Sequence, residues 1–508
     1  MALTEPSPSS GPDVGTRLWG RLVELPGVGS RLEESYALLK LRRRLRPRRP
    51  AGRLQPPERP VGIKLELTHA CNLRCDFCYT DSPRHTLART QDLTDETWRA
   101  TVDQAIELGV VEAVVTGGEP LLRAPLALEL TERLAGAGVG VTLNTNGWFV
   151  DAAIADRLAA IRGLTVHISL DGATPSLHDA ARGVPGSWRR AVQALSLLLE
   201  RGVPVVVVHV ATPLNVQWVE PLLENLWLLG VRAVRLTPVV PVGAASRDEG
   251  WSVDRRELRR LASEAACRFG DSFQPVVQAG IADIVATRAH RAPAALLVRP
   301  SGAVLIDSLH PFAFGHVQDG LAACWDRIVS QWQAPELQAW AAPIRNPRGL
   351  AHASVVPYAD IEPVVGSEHV SRLPRRRKPT RDAPRLPRRA ARSTEPAAAP
   401  DDLVSAREHV LELGLARRYR AAAYRWSGES HGDRVVRLVD SGRMCKLNAT
   451  AGLVLDQIAD RTVGDAVEAL ASRHRDVPRE QLIIDTLRTA DWLAARGILR
   501  HEPAPTSA

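Results

Sequence analysis

The sequence predicts an α/β protein with a small α+β domain, winged helix-turn-helix-like in outline, at its C-terminal end. Three observations carry this. From Val61 to about residue 240, six apolar strand candidates alternate with helix-patterned stretches, as in a parallel sheet covered by helices. From Ser371 to Pro400 the composition collapses to Arg, Pro and Ala, which reads as a linker. Residues 401–500 then regain a globular pattern, a hairpin followed by three short helices. A chain of 508 residues is also too long for one hydrophobic core.

In chain order, residues 1–60 form a basic extension with little apolar periodicity beyond an amphipathic helix candidate near Leu32–Leu45. Residues 61–245 hold the strand candidates Gly62–Thr68, Glu112–Thr116, Val139–Asn144, Thr165–Leu170, Val203–Ala211 and Val231–Thr237. All six read as apolar runs rather than as alternating strands. The intervening helix candidates are Thr94–Leu108, Pro125–Ala137, Ala152–Ile161, Ser187–Arg201 and Trp218–Leu229. Thr94, followed by Asp95 and Glu96, is helix-start chemistry: a hydroxyl cap, then acids in the first turn. Residues 246–345 carry an amphipathic helix at Asp254–Phe269 and a strand at Leu296–Ile306 with a turn at Ser301-Gly302. Residues 346–400 are the Pro/Arg/Ala-rich linker. In 401–500 the hairpin turns at Ser441-Gly442, Asn448 caps a helix through Ala459, and helices follow over Val463–His474 and Arg479–Arg496.

The net charge of +8 is unevenly placed. Lys40–Arg59 carries +8 and Pro374–Pro400 carries +7, which leaves −7 on the remainder, so the folded parts are mildly acidic. Such basic runs are usually solvated linkers rather than nucleic-acid sites. No apolar stretch approaches the ~18 residues of a membrane span.

Chemistry concentrates in LTHACNLRCDFCYTDSP, residues 67–83, which places Cys71, Cys75 and Cys78 directly after the first strand candidate. Active sites of parallel sheets form at the carboxyl ends of the strands, where this loop lands. Three thiolates so close in sequence can converge on one metal centre. Iron–sulfur clusters take thiolate ligands, normally four, so three would leave one iron open. Zinc is the alternative, with His69 as a fourth ligand, but no second ligand pair follows. A disulfide would strand an odd thiol. With cysteines set as metal ligands, a reducing cytoplasm is the expected compartment.

The C-x3-C-x-aromatic-C run, with Phe77 in the aromatic slot, resembles the radical S-adenosylmethionine (radical SAM) superfamily. The resemblance implies a partial (β/α)6 barrel and a [4Fe-4S] cluster on Cys71, Cys75 and Cys78. It also implies S-adenosyl-L-methionine chelated at the open iron, and its one-electron cleavage to methionine and a 5′-deoxyadenosyl radical that abstracts hydrogen from substrate. Thr116-Gly117-Gly118-Glu119-Pro120, at the end of the second strand, resembles the family's contact with the S-adenosylmethionine amino group. Ser169 and Asp171 of SLDG resemble its ribose-side contact. Read without the family, the first is a tight turn and the second a helix cap. Thr212, Asn215, Thr237 and Gly243 are expected near cofactor or substrate. The stretch RPSGAVLID…FAFGHVQDGLAACWDRI resembles a SPASM extension stripped of its cysteines, which leaves one cluster in the protein. Cys267 and Cys324 are then expected as small buried residues, and His310 and His316 as loop histidines.

The C-terminal segment KLNATAGLVLDQIADRTVGDAVEAL…VPREQLIIDTLRTADWLAARGIL resembles the PqqD family. That implies a partner: the leader of a ribosomally synthesised precursor peptide, added as an extra strand beside the hairpin and packed against a helix. The linker would hold this domain near the barrel by effective concentration. An electron donor such as flavodoxin or ferredoxin is the second implied partner. Two alternatives stand beside the peptide-modifying oxidoreductase: a radical SAM enzyme acting on a small molecule, and a DNA-binding winged helix. Asp465, Glu468, Asp476, Glu480 and Asp485 argue against nucleic acid, because a recognition helix is basic where it meets phosphates.

Overall fold

The computed structural model describes residues 55–82, 92–240, 242–247, 250–251, 253–270, 273–278, 292–308, 312–335, 337, 400–430 and 433–502. The basic extension (described only from residue 55), the linker (only at Pro400) and His310 therefore lie outside the described residues.

Six parallel strands form in sequence order: β1 (Gly62–Glu66), β2 (Glu112–Thr116), β3 (Gly140–Thr145), β4 (Leu164–Ser169), β5 (Val205–Ala211) and β6 (Ala233–Pro238). Helices α1 (Asp95–Glu107), α2 (Ala124–Gly136), α3 (Ala152–Ala160), α4 (Pro175–Arg182), α5 (Ser187–Glu200) and α6 (Val219–Leu229) connect them. Because right-handed crossovers taken in order all fall on one side, the helices cover one face, as in a partial (β/α)6 barrel. α1 shows the local logic. Thr94 Oγ1 accepts from Thr97 N at 3.2 Å, and Trp98, Val102 and Ala105 are buried against the sheet.

The strands do alternate, contrary to the sequence expectation. In β4, Leu164, Val166 and Ile168 are buried, while Thr165, His167 and Ser169 are only half-buried. The reason is the one-sided cover: the outward face packs under helices, and the inner face is left to polar side chains. The short helix α4 had no counterpart in the sequence reading.

Beyond β6, α7 (Arg255–Phe269) leads to β7 (Gln274–Val277), which pairs parallel with β6. β8 (Ala295–Val298) pairs parallel with β1, and β9 (Ala303–Leu305) and β10 (Ala313–His316) follow antiparallel. The extension thus continues the barrel sheet at both edges, giving the order β10-β9-β8-β1-β2-β3-β4-β5-β6-β7. α8 (Leu321–Gln331) buries Cys324, whose Sγ contacts His316 O at 3.5 Å. Cys267 corrects the expectation of a buried residue: it is exposed on α7. His316 is structural, capping the turn at Val317–Asp319 and lying 2.9 Å from Ser301 O through Nε2.

The C-terminal part begins with a helix the sequence reading missed, α9 (Leu403–Leu415). It continues through β11 (Arg418–Ala421), β12 (Tyr424–Ser430), β13 (Asp433–Leu438), β14 (Met444–Leu447), α10 (Ala449–Ile458), β15 (Arg461–Thr462), α11 (Val463–Ala471), α12 (Arg479–Ala495) and β16 (Leu499–Glu502). β12-β13-β14 form an antiparallel meander, one strand more than the expected hairpin, and β15-β11-β16 form a second small sheet. Asn448 caps α10, and Thr462 with Asp465 forms a capping box on α11.

Candidate functional site

The cysteine loop leaves β1 at its carboxyl end and is gripped by backbone from the ends of neighbouring strands. Gly118 N donates to Thr68 O at 2.7 Å and Glu119 N to Ala70 O at 2.9 Å. A Cβ on Gly118 would sit 2.2 Å from Ala70 O, so only glycine lets the β2 end close on the residue before Cys71. After β6, Ala244 N donates to Cys78 O at 2.8 Å, and a Cβ on Gly243 would stand 2.5 Å from that same oxygen. Behind Cys75, Arg74 N donates to Arg182 O at 2.8 Å, at the end of α4. Each cysteine is therefore backed by backbone from a different βα connection.

The three thiols are partly buried. Burial pushes the Cys75 thiol up to about 11, opposed by the Arg182 guanidinium, whose Nη1 lies 3.7 Å from Cys75 Sγ. Burial pushes Cys71 well above the ordinary thiol range, with the charges of Glu119, Cys75 and Cys78 adding to it. Cys78 N donates to Cys75 O at 3.3 Å and Leu73 N to Cys71 Sγ at 3.4 Å, which folds the loop back on itself.

Arg182 was missed by the sequence reading because it lies on the unforeseen α4. It joins Asp171 in an ion pair (Nε to Oδ2, 2.6 Å), and its guanidinium stands 5.5 Å from the Phe77 ring centre. Asp171 is fully buried. Its Oδ1 accepts from Val210 N at 2.7 Å, and its carbonyl accepts from Asn215 Nδ2 at 2.9 Å. Asp171 thus ties β4, β5 and α4 to Cys75, with both carboxylate oxygens engaged inside the protein.

Glu119 is also buried, at 1% exposure. Its Oε1 accepts from Leu121 N (3.0 Å) and Thr145 Oγ1 (2.7 Å), and its Oε2 from Asn146 N (2.8 Å). Burial outweighs these donors and raises the carboxyl to about 7. Asn146 Nδ2 in turn donates to Asn72 Oδ1 at 2.9 Å, so the β3 end also reaches the cysteine loop. Ser169 ends β4 on the inner face. Asn215 Oδ1 accepts from Thr212 N at 2.7 Å, closing that loop, and Thr237 Oγ1 donates to Gln278 Oε1 at 3.0 Å.

A charged group lies on the inner face below the loop. Lys64 Nζ donates to Tyr79 OH at 3.0 Å and lies 3.2 Å from Glu66 Oε1, and Arg299 Nη1 donates to Glu66 Oε2 at 2.9 Å. Burial alone would raise the Glu66 carboxyl, but Arg299 and Lys64 hold it below the ordinary range. Lys64 and Glu66 alternate with Ile63 and Leu65 in β1, but Arg299 lies 233 residues from Glu66, so no local pattern joins the cluster.

The donor set fits an iron–sulfur cluster better than zinc. His69 Nδ1 lies 2.9 Å from Asp92 Oδ1, which leaves only its Nε2 to meet a metal. Among the described residues no three His, Cys, Asp or Glu side chains gather around a single-ion site. A multi-iron cluster takes its thiolates on different irons, so its ligands need not meet at a point.

A second site lies in the C-terminal domain. β14 is an edge of its sheet, and beside it runs a groove lined by residues including Lys446, Asn448, Thr450, Arg488, Thr489 and Trp492. With Asp433 of β13 also in its lining, the groove lies between the end of the β13–β14 pair, whose outer strand is β14, and helix α12. No helix among the described residues is long and apolar enough to cross a membrane.

Two family models match this chain, one over each part. Residues 65–226 match the radical SAM superfamily model, and residues 435–499 match the model of coenzyme PQQ synthesis protein D (PqqD). The chain is 31% identical over 214 residues to the PqqA peptide cyclase of Ruegeria pomeroyi, covering 41% of this chain and 56% of that protein. It is 29% identical over 185 residues to the AdoMet-dependent heme synthase of Oleidesulfovibrio alaskensis, covering 36% and 47%. The chain thus spans about half the length of these relatives. Streptococcus suis SuiB bound to precursor peptide SuiA superimposes with a TM-score of 0.45 at 16% identity, over 61% of this chain and 71% of that one. The chain carries a radical SAM domain, which supplies the cysteine loop, followed by a PqqD domain, which supplies the groove.

Proposed function

We propose that this protein is a radical SAM oxidoreductase that modifies a ribosomally synthesised precursor peptide held by its leader on the PqqD domain. The observation that carries this is the pairing, in one chain, of the three-cysteine loop with an open edge-strand groove. Cys71, Cys75 and Cys78 hold a [4Fe-4S] cluster, and Arg182 braces Cys75. The cluster, when bound, supplies the electron that cleaves S-adenosyl-L-methionine to methionine and a 5′-deoxyadenosyl radical. Gly117, Gly118 and Glu119 contact S-adenosylmethionine from the β2 end, and Ser169 from the inner face of β4. Asp171, engaged by Val210 and Arg182, acts through the loop that it braces. The leader adds as a strand to β14 and packs against α12, where backbone hydrogen bonds give affinity and side-chain pockets give choice. A flavodoxin- or ferredoxin-type donor supplies electrons in the cytoplasm.

Two measurements test this. Replacing Cys71, Cys75 and Cys78 by Ala should abolish iron binding and 5′-deoxyadenosine formation; continued cleavage by the triple variant would sink the cluster assignment. The full chain should also be titrated with labelled peptides encoded beside the gene, with a random DNA duplex as control. Salt-tolerant binding of one peptide supports the reading. Binding to the duplex alone, falling steeply with salt, overturns it. A small-molecule substrate is the second reading, favoured by the similarity to an AdoMet-dependent heme synthase.

A further inference from the structure

The PqqD domain is docked on one flank of the barrel, and the contacts fix which way it hangs. α9 runs alongside α6. Near the rim that bears the cysteine loop, Ser176, in the first turn of α4, donates through N and Oγ to Asp402, both at 2.7 Å. Halfway down, Arg407 Nη2 lies 3.2 Å from Glu224 Oε1 of α6. At the opposite end, a Cβ on Gly414 would stand 2.9 Å from Leu228 O, and the Arg417 guanidinium lies against Gly230. There Asp491 of α12 pairs with Arg417 at 2.7 Å and also with Arg232, the residue that precedes β6.

Arg232 marks the amino end of the strands, whereas the cysteines sit at the carboxyl end. α12 lines the groove through Arg488, Thr489 and Trp492, and its Asp491 reaches that amino end at Arg232. The Arg488 guanidinium lies 5.8 Å from the Trp227 ring centre, in the last turns of α6, and its Nη2 is 3.5 Å from Arg268 O at the end of α7. Groove and cysteine loop are thus at opposite ends of the barrel wall. A six-residue strand spans roughly 20 Å. An extended peptide covers at most about 3.3–3.6 Å per residue, so the wall alone takes about six residues.

We infer that the substrate is a precursor peptide whose leader motif and modified residue are separated by at least about ten residues, six for the wall and the rest to pass the rim. The docked interface, not the groove, sets that minimum. This rests on the groove being the leader site.

The test uses the full-length enzyme and the peptide selected by the titration above, remade with spacers of about four, ten and twenty residues. Anisotropy reads groove affinity, and mass spectrometry reads modification. Equal affinity across the series, with modification lost at the shortest spacer, supports the inference. Equal modification at every spacer overturns it. Absence of peptide binding would instead defeat the underlying leader reading. Gly414→Leu and, from the barrel side, Arg232→Glu are both expected to release the domain, as followed by small-angle scattering. Iron content and 5′-deoxyadenosine formation confirm that the barrel is intact. Released variants should modify the short-spacer peptide at least ten-fold faster than the docked enzyme. A detached domain with no such gain would also overturn the inference.

Discussion

The cysteine loop and the C-terminal groove solve opposite problems. Around the loop, backbone from the β2 and β6 ends and from the end of α4 closes to distances at which a single Cβ collides, and the buried polar groups are paired across strands. Around the groove, an edge strand is left open, and Met444 and Lys446 of β14 are well exposed. A small, fixed cofactor rewards a cavity set before binding. A peptide that binds as a strand rewards unpaired backbone and an adaptable wall. The contrast teaches that the two sites should fail differently, one all at once and the other by degrees.

Three substitutions or conditions sharpen this, beginning with the largest effect. Gly118→Val forces a side chain into Ala70 O, and should leave the purified protein without stoichiometric iron and without 5′-deoxyadenosine formation. Iron analysis and chromatography check it, and retention of both would show that the clamp tolerates rearrangement. Trp492→Ala removes an aromatic wall of the groove. It should weaken peptide binding about ten-fold, or ~1.4 kcal/mol, while leaving iron content unchanged. Anisotropy and iron analysis separate the two effects. The smallest effect concerns pH. Burial alone would raise Asp491, but Arg232 and Arg417 hold it below its ordinary value of 3.8. A carboxylate with a depressed folded-state pKa contributes stability above its unfolded value and loses it as pH falls through the lower one. Docking should therefore be unchanged between about pH 5 and 8 and should weaken only below about 4. Small-angle scattering across that range checks this, and release near neutral pH would contradict it.

Much of this was legible in the sequence for identifiable reasons. Strand and helix order followed from apolar runs and caps such as Thr94 and Asn448, which act within a few residues of chain. The cysteine spacing and the strand-end glycines were likewise local. What was hidden is long-range. Arg182 lies 107 residues from Cys75, on a helix too short to show a period, and the Glu66–Arg299 pair spans 233 residues. The polar inner face is visible in strands such as β1, where Lys64 and Glu66 alternate with Ile63 and Leu65, and is hidden in β5, where four valines run together.

By itself, then, the sequence determined the alternating α/β order, the three-thiol loop at the end of the first strand, and a C-terminal domain of PqqD type. These are properties of residue type at short spacing. Only the tertiary structure decided which backbone carbonyls the glycines must clear, which cation stands beside Cys75, and at which end of the barrel the groove hangs. Those depend on close packing between elements far apart in the chain, and no local pattern encodes a contact whose partner lies a hundred residues away.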